Sequence, residues 1–516
     1  MKSIKIHKNM FDLGTTILAS AEKNPNEIAI AGIDYKFTYS EWFKKIDALS
    51  GSLKYLGLNK KEKVITLLQN NFEASTIHWA CQLNELVVVP LNWRMKHEEI
   101  DFCISNSEAS CVIFQEESMN GIELSLESKK IKQIFVGKNN NKIVNINELI
   151  QNGNTGNYPE AENDSCSLIL YTSGTTGKPK GVPRTHLAER SAALAHVAQN
   201  MYKNGEITLG VMPLYHTMGI RSLISMSLIN GLFITQPKFS SSEAIKLINH
   251  YKITSLYLVP TLFHELIEDK HFKSNKVKTC KKLGFAGAPM NNGLIKRVVN
   301  AFEPVQLVNH YGSSEIYTFT IDQNANKKPG SAGKAGVNQR IRVVEINSND
   351  PKKLVETNVE GEIIASLKSE EAFSGYLKRP DADTKSIIKN WYFTNDIGYF
   401  DDDGDLFVTG RVDDMIVTGG ENVSPIEIEN LLSLNKNVID VVVVGLPDEK
   451  WGQRICGFIK RDGNIQFDDL NKHCLESGMI NFKRPKEYIF IKEIPKSPTG
   501  KVLRRKLLAG EYDLDK

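Results

Sequence analysis

The stretch Tyr171-Thr-Ser-Gly-Thr-Thr-Gly-Lys-Pro-Lys180-Gly181 sets four Ser/Thr hydroxyls, three glycines and two lysines directly behind the run Ser167 to Tyr171. That run reads as a buried strand, and the residues after it as a loop at its end. Such a loop suits a polyphosphate: glycines let backbone N–H groups turn inward, hydroxyls donate to phosphate oxygens, and a lysine neutralises charge. Thr172, Ser173, Gly174, Thr175, Thr176, Gly177, Lys178, Pro179 and Lys180 are therefore candidate polyphosphate-binding residues. This is not a Walker A loop, because two residues separate Gly174 from Gly177-Lys178 where that motif has four. Nor does a GxGxxG follow the opening strands.

Upstream, residues 27 to 114 alternate short β-branched runs with helical patterns: Ile28 to Ile30, a helix after Tyr39, Val64 to Leu68, a helix after Phe72, Val87 to Val89, then Cys111 to Phe114. The alternation predicts a parallel α/β sheet. Lys138 to Asp164 is polar and rich in Asn and Gly, and reads as a linker. From Ser167 a second α/β series follows, with strands at Gly210 to Met212, Leu232 to Ile234, Ser255 to Val259, Leu283 to Ala286 and Val305 to Asn309. Past Gly330, short strands with Gly turns predict a small β subdomain. Arg411 to Lys516, with helices at Pro425 to Leu432 and Phe467 to Glu476, predicts a compact α+β domain. The expected fold class is α/β: a large multi-subdomain N-terminal domain, 1–410, with two α/β subdomains and a small β subdomain, then a small α+β domain, 411–516.

Composition narrows the classes. With 516 residues, 41% apolar and 24% charged, the chain can bury more than one core. The 64 basic and 61 acidic side chains leave a formal charge of +3, too little for the basic stripe of a nucleic-acid binder. The seven cysteines are scattered, with no metal-ligand spacing, and read as free thiols in a reducing compartment. The start, Met1 to Asn9, is basic but leads into an amphipathic segment, and no run reaches the roughly 18 apolar residues of a membrane span. A cytoplasmic location is expected.

Four further stretches carry chemistry. In Pro213-Leu-Tyr-His216-Thr-Met-Gly219 a histidine follows a buried strand, at a sheet edge where ligands collect. In Gly284-Phe-Ala-Gly287-Ala-Pro289 and Asn309-His-Tyr311-Gly-Ser-Ser314-Glu315, small residues facing an aromatic ring make a slot for a purine, and a carboxylate suits hydrated Mg²⁺. In Trp391-Tyr-Phe-Thr-Asn395-Asp396, with Gly410-Arg411-Val-Asp413-Asp414, a carboxylate can take two ribose hydroxyls and an arginine can add a charge-assisted contact. In Pro495-Lys-Ser-Pro-Thr-Gly500-Lys501-Val-Leu-Arg-Arg505, a lysine on a glycine-led loop is a mobile point charge, although a basic run is ordinarily a solvated tail.

Together these motifs, in order along nearly the whole chain, resemble the adenylate-forming enzymes, which include acyl-CoA synthetases, aryl-CoA ligases, firefly luciferase and peptide-synthetase adenylation domains. The wording is most similar to benzoate- and chlorobenzoate-type ligases in Gly410 to Ile416, Gly419 to Asn422, Trp451-Gly-Gln and Phe482 to Lys486. The resemblance implies an AMP-forming acid–thiol ligase using ATP, Mg²⁺ and coenzyme A. It implies catalytic roles for Lys501, His216 and Glu315, with Glu315 also at the metal. It adds Gly287, Ala288, Pro289, His310, Tyr311, Gly312, Ser314, Asp396 and Arg411 to the ATP site. Ser314 stands where Thr is commoner and keeps the hydroxyl, while Asn395 stands where Gly is usual, a change expected to shift the turn.

The resemblance further implies a hinge at Asp413, two residues after the ribose arginine. On the coenzyme A side it implies Gly419, Gly420, Glu421, Trp451, Phe482, Arg484 and Lys486, with Arg94 from the large domain. The acid pocket would be lined by His216, Met218, Arg221, Phe285, His310, Tyr317 and Thr318, where His310 and Arg221 suit a hydroxyl or second carboxylate, unless Arg221 is simply a surface residue. An aromatic or hydroxyaromatic acid is the first expectation. Medium-chain fatty acids, small dicarboxylates and transfer to a carrier protein are the alternatives. The partners expected are a small-molecule carboxylic acid and, at most, a second copy of the chain.

Overall fold

The computed structural model describes residues 11–138, 143–159, 161–162, 164–172, 179–496 and 502–515. Ser173 to Lys178 of the phosphate loop and Lys501 lie outside the described residues. Contacts divide the chain into two units. The first is Met1–Tyr257 with Ser313–Thr318 and Leu367–Lys385, and the second is Leu258–Gly312, Phe319–Ser366 and Ser386–Lys516. The expected boundary after residue 410 falls inside the second unit.

Within the first unit, a seven-stranded sheet runs in the order Val144–Asn145, Lys132–Val136, Ala109–Gln115, Lys63–Leu67, Val87–Pro90, Cys166–Thr172, Lys180–Thr185. Neighbours are parallel up to the last pair, which is antiparallel and flanks the phosphate loop. The strand before that loop thus closes the first sheet and does not open a second series. Conversely, Ile28–Ala31 leaves the first series and lies parallel to Leu232–Thr235, beside Ile207–Gly210. Runs buried on both faces read alike, so periodicity could not tell which sheet each strand joins.

Two local expectations are corrected. The segment from Lys138 to Asp164 holds the strand Val144–Asn145 and the helix Ile146–Asn152, whose Ile146 and Ile150 are buried. Two buried isoleucines at i and i+4 anchor a polar helix whose average composition hid it. The strand expected at Gly210 to Met212 is Ile207–Gly210. Asn70 forces the earlier end: its amide donates to the carbonyls of Gly210 (3.0 Å) and Met212 (2.5 Å) and its oxygen accepts from Leu214 N–H.

In the second unit, Lys282–Phe285 and Gln306–Tyr311 pair in parallel, and from there the sheet is antiparallel through Thr320–Asp322, Ser331–Ala335, Leu406–Arg411, Trp391–Phe400, Gly361–Ser366 and Ile341–Val344. The C-terminal part is α+β: helices Pro425–Leu432 and Phe467–Glu476 pack their apolar sides, Ile428, Leu432, Leu470 and Cys474, on the sheet of Val438–Asp448 and Gly452–Arg461. Among the described residues no helix is long and apolar enough to cross a membrane. All seven cysteines are free thiols.

Candidate active site

In the first unit the phosphate-loop strands set one group of side chains. Arg184, fully buried, points from Lys180–Thr185 into a network that the sequence motifs did not announce. Its Nε donates to Glu189 Oε1 at 2.8 Å, and its Nη1 to the carbonyls of Glu315 (3.0 Å) and Glu371 (2.6 Å). Its Cζ lies 4.0 Å from the centroid of the Tyr317 ring, and the Tyr317 hydroxyl donates to Glu189 Oε2. A fully buried ion pair needs such added hydrogen bonds to offset desolvation. The visible signal was an arginine directly after the uncharged Gly181-Val-Pro183.

Glu315 is 6% exposed, and Tyr376 donates its hydroxyl to Glu315 Oε1 at 2.7 Å. The Tyr376 ring takes the ammonium of Lys180 on its face, 4.3 Å from the centroid. Among the described residues no cation lies within 4.0 Å of the Glu315 carboxylate. A buried carboxylate held by a neutral donor keeps its charge for a ligand, so this residue fits Mg²⁺, which takes few protein ligands and keeps its waters.

His216 is the N-cap of the helix Thr217–Leu228: its Nδ1 accepts from Met218 N–H at 3.3 Å. Gly219 is required in that first turn, since a Cβ would stand 2.2 Å from the Pro213 carbonyl. Met218 is buried. Arg221 is not a surface residue but 2% exposed: it donates to Thr318 Oγ1 (2.9 Å), to the Tyr257 hydroxyl and to the Tyr317 carbonyl. Thus Arg221, Tyr317 and Thr318 come together, with Tyr257 unforeseen. Arg94 stacks on Trp93 at 3.7 Å. Thr172 ends its strand, with its hydroxyl 3.4 Å from the Lys180 carbonyl.

In the second unit Asp396 and Arg411 face each other across two antiparallel strands. Arg411 Nη1 donates to Asp396 Oδ1 at 2.9 Å and the Tyr311 hydroxyl to Oδ2 at 2.6 Å. Burial, and then the Asp396 carboxylate, push the Tyr311 hydroxyl far up, so it remains a donor. Asn395, standing where Gly is usual, has a φ of 62°, the left-handed conformation, which Asn adopts more readily than most residues. Its amide also donates to Asp413 Oδ2 at 2.7 Å.

Gly287 (φ 83°) and Pro289 are exposed and Ala288 half-buried in a bend, whereas Phe285 and His310 are buried. Gly312 is exposed and Ser314 half-buried. Asp401, Asp403 and Asp405 converge too, but the Lys328 ammonium already stands among them.

Gly419 and Gly420 (φ 61° and 86°) form a two-residue hairpin turn between Ile416–Thr418 and Glu421–Val423. Positive φ at both positions is what such a turn demands, which accounts for both glycines locally. Trp451, 43% exposed, covers Gly419 and accepts its N–H at the carbonyl. Arg484 Nη2 and Lys486 Nζ both donate to Asn481, and burial followed by Arg484 lowers the Lys486 pKa. Phe482 is 38% exposed and Glu421 is exposed.

Residues 17–377 match the AMP-binding enzyme family and 427–501 its C-terminal domain. A 4-chlorobenzoate–CoA ligase of Arthrobacter sp is 30% identical over 95% of this chain and 93% of its own. A 2-succinylbenzoate–CoA ligase of Bacillus cytotoxicus is 30% identical over 95% and 97%. In structure, the anthranilate CoA ligase AuaEII in complex with anthranoyl-AMP superposes with a TM-score of 0.91 at 23% identity, covering 97% of each chain. ATP-bound MatB from Rhodopseudomonas palustris gives 0.86 at 22%, over 97% and 99%. The match over most of the chain, with the Asp396–Arg411–Tyr311 cluster in place, makes this chain a member of the AMP-binding enzyme family.

Proposed function

We propose that the chain is an ATP-dependent acid–CoA ligase. The acid oxygen attacks the α-phosphorus of ATP, pyrophosphate leaves, and the acyl-adenylate is then cleaved by the coenzyme A thiolate with release of AMP. The observation that carries the reading is Asp396. Its carboxylate is fixed by Arg411 and Tyr311, so it is oriented to accept from two neutral hydroxyls of a ribose. The chlorobenzoate and succinylbenzoate relatives, both CoA ligases matched nearly end to end, support coenzyme A as acceptor over a carrier protein.

In this reading Thr172, Lys180 and the intervening loop take the polyphosphate. Glu315 holds Mg²⁺, which when bound neutralises phosphate charge. His216 faces the acid through its ring, its Nδ1 already occupied by Met218 N–H so that the other nitrogen carries the proton. Lys501 meets the charge that gathers at the α-phosphate. Asp413 is the hinge about which 411–516 turns, and Trp451, Phe482, Arg484, Lys486 and Arg94 receive coenzyme A. The seven free thiols support a reducing, cytoplasmic setting.

An aromatic acid is the favoured substrate, in keeping with the chlorobenzoate and succinylbenzoate relatives. A dicarboxylate is the second reading, favoured by Arg221: its donors meet neutral oxygens, and among the described residues no carboxylate pairs with it. Buried guanidinium without a carboxylate partner is costly unless a ligand supplies one. The test incubates the protein with ATP, Mg²⁺ and benzoates, hydroxycinnamates, fatty acids or dicarboxylates, reading pyrophosphate and thioester with and without coenzyme A. Thioester from one class, abolished by Lys501→Ala, is the expected result; pyrophosphate without thioester would overturn coenzyme A as acceptor.

A further inference from the structure

Lys180 and Glu315 carry opposite charges into one neighbourhood of the first unit, yet they do not form an ion pair: no contact within 4.0 Å joins them. Left adjacent, they would attract strongly and each would satisfy the other. The side chain standing with both is Tyr376. Its ring face receives the Lys180 ammonium at 4.3 Å, and its hydroxyl, at the far end of the same ring, donates to Glu315 Oε1 at 2.7 Å.

The backbone fixes this arrangement at several points. Leu377 N–H donates to the Gly181 carbonyl at 2.9 Å, pinning Tyr376 beside the strand of Lys180. Phe373 N–H donates to the Glu315 carbonyl at 2.9 Å, and Arg184 Nη1 bridges the Glu315 and Glu371 carbonyls from within the core. Three chain segments, 180–185, 313–318 and 367–385, thereby meet around one ring.

We propose that Tyr376 is a positioning residue that keeps Lys180 and Glu315 apart and aimed, so that one remains available to phosphate oxygens and the other to the metal that accompanies them. A phenol suits the task because its two ends differ: the π face attracts a cation and the hydroxyl satisfies one carboxylate oxygen without cancelling its charge. A lysine or arginine in its place would neutralise Glu315; a leucine would let Lys180 collapse onto it. The proposal rests on Glu315 as the metal carboxylate.

The test compares Tyr376→Phe, Tyr376→Leu and Glu315→Gln with the parent protein by calorimetric titration of ATP with excess Mg²⁺ and of ATP with EDTA, alongside melting temperature. Tyr376→Phe keeps the ring and loses one hydrogen bond to a charged group, so MgATP affinity should fall roughly ten-fold while metal-free ATP binding holds. Tyr376→Leu should weaken both titrations, the metal-free one through the loss of Lys180. The apparent Mg²⁺ requirement of pyrophosphate release should rise in Tyr376→Phe and be met by added Mg²⁺. If Glu315→Gln raises the Mg²⁺ requirement and Tyr376→Phe does not, the positioning role is wrong and the metal site stands. Equal weakening of both titrations in Tyr376→Phe, with a lowered melting temperature, would make Tyr376 a packing residue only. No metal effect in Glu315→Gln would overturn the reading of Glu315 and this proposal with it.

Discussion

Two carboxylates, one in each unit, are held in opposite ways. Asp396 is met by a guanidinium and a phenol, one on each oxygen. Glu315, more deeply buried, is met among the described residues by a phenol alone. An arginine-paired carboxylate has its charge largely answered, and the lone pairs that remain are fitted to neutral hydroxyls. A carboxylate held by a neutral donor keeps its field, and its natural complement is a cation. In the proposed function, where Asp396 takes the ribose and Glu315 the metal, the two recognitions are separated by what stands behind each carboxylate.

The contrast can be broken experimentally. Glu315→Gln should cost pyrophosphate release about a hundred- to a thousand-fold, the scale of losing one preorganised electrostatic group, with a raised Mg²⁺ requirement. Asp396→Asn should raise the KM for ATP roughly ten- to a hundred-fold, the equivalent of about 1.5–3 kcal/mol of charged hydrogen bonding. It should also erase the preference for ATP over its 2′- and 3′-deoxy analogues at unchanged Mg²⁺ requirement. A metal effect in Asp396→Asn, or a sugar effect in Glu315→Gln, would show that the two sites are not separate in this way.

Rates must be compared where the fold is intact, and two buried histidines set that range. Burial lowers His186 to about 4 and His78 to about 3, against about 6.5 in an unfolded chain. The unfolded state therefore binds more protons below pH 6.5. This stability is fully present above that pH and drains as pH falls towards 4 and 3. At about 1.4 kcal/mol for each histidine and each pH unit crossed, the two together lose about 8 kcal/mol by pH 3. Denaturant melts should show the loss, and His78→Leu should flatten it. The smallest effect belongs to Asn395→Gly: a hydrogen bond worth about 1 kcal/mol is lost while a left-handed strain of about 1–2 kcal/mol is relieved, leaving thermal stability nearly unchanged. A shift in the ratio of pyrophosphate release to thioester formation would reveal what its bond to Asp413 does.

What the sequence made legible was whatever is local. The strand Cys166–Thr172 ahead of the phosphate loop and the helices Pro425–Leu432 and Phe467–Glu476 stand where periodicity placed them, because each signal lies within a dozen or so residues. Sheet membership was not legible: Ile28–Ala31 finds its parallel partner at Leu232–Thr235, far along the chain. Tyr376 was missed for the same reason, since nothing near Gly375 and Leu377 announces Lys180 and Glu315 as neighbours. Arg221 was placed in doubt between surface and pocket because a helix face shows its burial only once Thr318 and Tyr257 are brought against it.

The cysteines carry a practical consequence. Six of the seven are buried and Cys166 is half-buried, and burial raises the thiol pKa of every one. Thiolate, not thiol, is what alkylating dyes and spin labels capture. The native protein is therefore chemically quiet toward such reagents at neutral pH. A single cysteine introduced on an exposed position of the large domain and another on 411–516 would react first, without any native thiol being removed. Whether the C-terminal domain turns between adenylation and thioester formation can then be watched as a changing distance in the otherwise unaltered enzyme.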